Sequence, residues 1–120
     1  MNAKRERVAA LLLGVLCCSL SPVLLAAAAD ASSPAKATTY QVEIRNFAFA
    51  PRTLTVPAGT RVVWTNRDDE PHVIASAGGA FAGSHALDTS DSYAITFAKP
   101  GTYAYYCSIH PMMVGTIIVQ

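Results

Sequence analysis

From residue 40 onward the chain runs in short apolar–polar alternations cut by turn residues, and few folds accept that rhythm. In "TYQVEIRN", Tyr40, Val42 and Ile44 alternate with Gln41, Glu43 and Arg45. "RTLTV" stops at Pro57-Ala58-Gly59, and "TRVVWTN" follows. "HVIAS" comes after the charged stretch "RDDEP". "SYAITF" alternates again, "KPG" turns the chain into "TYAYYC", and "VGTIIVQ" closes it. No helical period runs through this region. Short strands at such spacing predict an all-β sandwich or barrel. "SAGGAFAGSHALDTSD" has no clean period and is expected to form loops around a short strand. Because side chains alternate along a strand, Tyr103, Tyr105 and Cys107 share one face. If that face is the inner one, Cys107 ends its strand screened from solvent.

The segment before that rhythm is of another kind. Lys4, Arg5 and Arg7 lead into "VAALLLGVLCCSLSPVLLAAAA", and small residues end the run at "AAAAD". This is the pattern of a secretory signal, with cleavage expected near Ala29–Asp30. An uncleaved anchor is the rival, since the run approaches bilayer length. Ser19, Ser21 and Pro22 interrupt the run, however, and its alanine end suits a signal peptidase. The expected organisation is an export segment over 1–29, a polar lead-in over 30–37 and one small domain over 38–120. The export segment takes Lys4, Arg5, Arg7 and Glu6 with it, which moves the formal net charge from +1 to −1. A near-neutral chain without a basic cluster argues against nucleic acid as a partner. Two of the three cysteines leave as well, so Cys107 has no internal disulfide partner.

A lone buried cysteine is often just a small hydrophobe. Here "CSIHPMM" places Cys107, His110 and Met113 at i, i+3 and i+6 in a short connection. Thiolate and thioether are soft donors, and imidazole suits copper as well as zinc. Two histidines, one cysteine and a weak axial methionine form the blue-copper pattern. A second histidine must come from His72 or His85. His72, in "EPHVI" behind the stiffening Pro71, is the better placed. Zinc is the chemical rival, but methionine is a poor zinc ligand. Three histidines are too few for the extra centres of a multicopper oxidase, and no haem-attachment sequence is present.

"VVWTN", "EPHVI", "YAITFAKPGTYAYYC" and "HPMMVGTIIV", in that order from about Tyr40 to Gln120, resemble the cupredoxins, and among them the amicyanin group. The resemblance implies an eight-stranded Greek-key sandwich with one copper ion at one end. It implies His72, Cys107, His110 and Met113 as ligands, with Met113 rather than Met112 in the axial place. It further implies single-electron shuttling in the periplasm by a monomer that is not an enzyme and is free of the membrane after cleavage. Copper buffering or delivery is the competing function. Val73 departs from the pattern, which has asparagine immediately after the first histidine. Valine cannot tie the ligand loops together through its side chain, but its backbone N–H remains able to reach the Cys107 sulfur. Asn66 is expected to pin the "NRDDEP" loop, and "RDDE" to be solvated. His85 is expected to be a solvated loop histidine and Trp64 a core residue. Pro71, Ile109, Pro111 and Met112 are expected to surround His110 with an apolar patch where donor and acceptor proteins dock.

Overall fold

A computed structural model describes residues 37–120, together with Gly14. The expected export segment 1–29 and nearly all of the lead-in 30–37 lie outside the described residues. The alternating runs become strands: β1 (Thr39–Arg45), β2 (Ala48–Ala50), β3 (Thr53–Val56), β4 (Thr60–Asn66), β5 (Ile74–Ser76), β6 (Ser92–Phe97), β7 (Gly101–Cys107) and β8 (His110–Val119). They form two four-stranded sheets, ordered β2-β1-β4-β6 and β3-β8-β7-β5. The expected all-β sandwich is therefore the architecture observed. β1 runs parallel to β4 and β3 parallel to β8, so strands far apart in sequence lie side by side.

The period-two pattern decides which faces meet. Val42 and Ile44 of β1 and Val62 and Trp64 of β4 are buried from one sheet. Tyr105, Cys107, Ile117 and Val119 are buried from the other. Tyr103, partly buried, packs on the same core, so the inner face read for "TYAYYC" is the one observed. Trp64 sits among the rings of Phe81, Tyr93, Phe97 and Tyr105.

The structure differs from the sequence reading in several places. β2 was not expected. It pairs with β1 across a two-residue turn in which Asn46 and Phe47 both have positive φ, 52° and 57°. Turns of this hand match the strand twist and usually show themselves as Asn-Gly, not Asn-Phe. β5 is shorter than "HVIAS": His72 stands outside it and bridges Leu87 instead. That bridge is the only pairing within 77–91; no strand forms there among the described residues. β8 begins at His110 rather than near Val114. Cys107 pairs with His110, but Tyr106 pairs with Val114, so Pro111, Met112 and Met113 are extra residues on one strand. Such a bulge re-aims side chains at a sheet's end. Met113 is turned inward to 4% exposure, while Met112 projects outward at 94%.

Candidate metal centre

Three strand ends build the site. β4 runs buried to Asn66, whose amide bonds to the loop that follows and to Leu87. Its Nδ2 donates to the carbonyls of Glu70 (2.8 Å) and Leu87 (3.0 Å), and its Oδ1 accepts from the Asp68 N–H (2.9 Å). Asn66 thus pins the loop as expected and delivers His72 to a fixed place. The His72 backbone is held by two bonds to Leu87, N to O at 3.1 Å and O to N at 2.8 Å. The end of β7 supplies Cys107, and just beyond it the start of β8 supplies His110.

These three side chains converge. Cys107 Sγ lies 3.8 Å from His72 Nδ1 and 3.7 Å from His110 Nδ1, and the two Nδ1 atoms are 3.2 Å apart. A transition ion bound at about 2.0 Å from nitrogen and about 2.3 Å from sulfur, with angles near 100–120°, needs donors about 3–4 Å apart. The observed triangle fits that requirement. His72 and Cys107 are buried and His110 is half-buried. Met113, buried at the bulge, lies in the wall of a small cleft with Phe47, Ala48, Arg52, Met112 and Val114. His85 is exposed and outside the cluster.

The surroundings of the sulfur match its chemistry. The Val73 N–H donates to Cys107 Sγ at 3.3 Å. A hydrogen bond to the sulfur limits its electron donation to a metal. The backbone therefore supplies this contact although residue 73 is valine.

The expectation of a solvated "RDDE" needs correction at one residue. Asp69 and Glu70 are exposed, but the Asp68 side chain is only 10% exposed and contacts His72 Nε2 at 2.9 Å. Burial opposes ionisation of Asp68. The backbone N–H groups of Phe47 and Asn46 and the His72 contact outweigh it, and its carboxyl is held below the usual carboxylate range. Phe47 also escaped the sequence reading. Its ring stands edge-on to His72 at 5.4 Å and to His110 at 5.0 Å, and it is 45% exposed. A positive-φ turn in "RNFAF" would have been its only local signal.

Comparison with known proteins agrees with this geometry. A family model described as a Cupredoxin-like domain matches residues 15–119. Amicyanin-alpha of Methylorubrum extorquens is 31% identical, covering 85% of this chain and 89% of the relative. Amicyanin of Paracoccus versutus is 37% identical, covering 77% and 71%. Among solved structures, a purple cupredoxin from Nitrosopumilus maritimus superposes with a TM-score of 0.64 at 36% identity, over 68% of this chain and 99% of that one.

Proposed function

This chain belongs to the cupredoxin family of single-copper electron carriers, and from that premise we propose that it is an exported type 1 copper protein shuttling electrons between partners in the periplasm. The ligands in this reading are His72, Cys107, His110 and Met113. The observation that carries it is the triangle of two imidazole nitrogens and one thiol sulfur, with sides of 3.2, 3.7 and 3.8 Å.

Copper bound there supplies a centre that accepts and releases one electron. The chain's own residues do the rest. Asn66 and the Leu87 bridge hold His72 rigidly, so little needs to move between oxidation states. Burial of His72 and Cys107 keeps water from the donors. The half-buried His110 offers the path outward. The basic start and apolar run of residues 4–29 support export.

The decisive experiment is an optical spectrum of the purified chain after addition of Cu(II). An intense visible thiolate-to-copper band is expected, and a copper complex without one overturns the reading. Export is checked separately, by fractionating cells that express the full chain.

Docking belongs to the apolar ground around His110. Met112 is almost wholly exposed, Ile109 is 49% exposed, and Pro71, Pro111 and Phe47 are exposed beside them. Exposed apolar residues flanking the ligands in sequence, with the Phe47 ring 5.0 Å from His110, point to an interaction site. Met112→Glu should leave the visible spectrum unchanged and slow electron self-exchange, measured by NMR line broadening, by about tenfold, because two approaching copies would then face each other with like charges. An unchanged rate removes Met112 from the docking surface.

A further inference from the structure

The contacts of Asp68 extend beyond His72. Its Oδ1 accepts the Asn46 N–H at 2.6 Å and its Oδ2 accepts the Phe47 N–H at 2.9 Å. Oδ2 also meets His72 Nε2. The Asp68 backbone is tied on both sides, its N–H to Asn66 Oδ1 and its carbonyl to Thr89 Oγ1 at 2.9 Å. One nearly buried carboxylate therefore joins the tip of the β1–β2 hairpin to a ring of the metal centre. We propose that Asp68 is the positioning residue of that centre: it selects which nitrogen of His72 faces the metal, and through the Asn46–Phe47 turn it holds Phe47 across both imidazoles.

The selection follows from donor counting. Both Asp68 oxygens accept backbone N–H groups, so toward the imidazole too the carboxyl acts as the acceptor and the ring nitrogen as the donor. The contact at 2.9 Å therefore places the proton on Nε2 and leaves a lone pair on Nδ1, the atom that faces Cys107 and His110. The carboxylate's charge makes the ring a stronger donor, and a partner of this kind shapes the metal's preference. The hold on Phe47 follows from the turn. Phenylalanine at φ 57° is strained, by about 1–2 kcal/mol. Two charge-assisted bonds from consecutive N–H groups offset that cost. Without the carboxylate, the turn loses the contact that keeps Phe47 edge-on to His72 and His110.

The inference rests on the copper reading, and its test separates the two. Asp68→Asn keeps the shape and an acceptor oxygen but removes the charge. Cu(II) should bind the variant about tenfold more weakly with Cu(I) affinity little changed, which corresponds to a reduction potential about 60 mV higher. Nitrogen NMR of the metal-free wild type should show His72 protonated at Nε2. A variant that melts earlier but keeps the wild-type potential makes Asp68 a structural anchor only, and overturns the proposal. So does a metal-free wild type protonated at Nδ1 of His72. A wild type that shows no intense visible band with Cu(II) overturns the copper reading, and the metal-free NMR then still decides whether Asp68 orients His72.

Discussion

Cys107→Ser should abolish the intense visible absorption of the Cu(II)-loaded protein and leave its fold in place. The colour of such a centre comes from electron density moving from a thiolate to Cu(II), and a hydroxyl is a harder donor that does not support it. Cys107 is the one free cysteine among the described residues, so no other thiol there replaces it. The fold should survive because serine is close in size and its oxygen can accept the Val73 N–H that now points at sulfur over 3.3 Å. Burying the hydroxyl costs about 1 kcal/mol once that bond is made. The checks are a Cu(II) titration followed in the visible range and a thermal melt by circular dichroism. Complete loss of the band with a melting temperature within a few degrees of wild type is expected. A band that persists in the serine variant removes sulfur from the site and with it the copper reading. A collapse of the fold would instead make residue 107 chiefly a packing residue.

Much of this site was legible because its signals are local. The face shared by Tyr103, Tyr105 and Cys107 follows from strand alternation, His110 from its spacing to Cys107, and His72 from its setting behind Pro71. Asn66 could be read as a loop clamp since its partners include residues two and four places on. Asp68 was hidden for the opposite reason. In "RDDE" three acids in a row look equivalent. The one that turns inward is chosen by N–H groups 21 and 22 residues away, at Phe47 and Asn46. The β1–β2 turn was hidden with it, because Phe47, unlike the asparagine before it, has no local preference for positive φ and relies on that distant carboxylate. The start of β8 was misread because Pro111 lacks an N–H and argues against a strand. Only the three-residue bulge opposite Tyr106 and Cys107 reconciles it with pairing. Residues whose conformation is set by a neighbour in space, not in sequence, are the ones that escaped.

The same distinction governs Gly115, where alanine should cost the protein much of its stability. Gly115 pairs with Tyr105 across β7 and β8, and the phenol ring lies over it. A Cβ at Gly115 would stand 2.8 Å from Tyr105 Cε1 and closer still to Cζ and the hydroxyl oxygen. The ring has no room to retreat. Tyr105 is 1% exposed, with the Phe49 ring at 4.7 Å and the Trp64 ring at 5.3 Å. Overpacking of this kind costs about 2–3 kcal/mol, which in a domain of this size lowers the melting temperature by roughly 10–20 °C. Tyr105→Phe tests the cause. It removes one of the two nearest atoms, a buried hydroxyl with no hydrogen-bond partner, so on its own it should be close to neutral. If the clash with Tyr105 is the cause, Gly115→Ala should cost less when combined with Tyr105→Phe than it does in wild type, a coupling that thermal melts of the four proteins can measure. Equal costs in both backgrounds would place the clash on the ring carbon Cζ, which phenylalanine keeps, and not on the hydroxyl. Because Cys107 lies two residues beyond Tyr105 on β7, a shift of this ring should also reach the sulfur. The copper-loaded alanine variant should then show a displaced visible band, and an unmoved band would mean that the strand absorbs the strain before it reaches the metal centre.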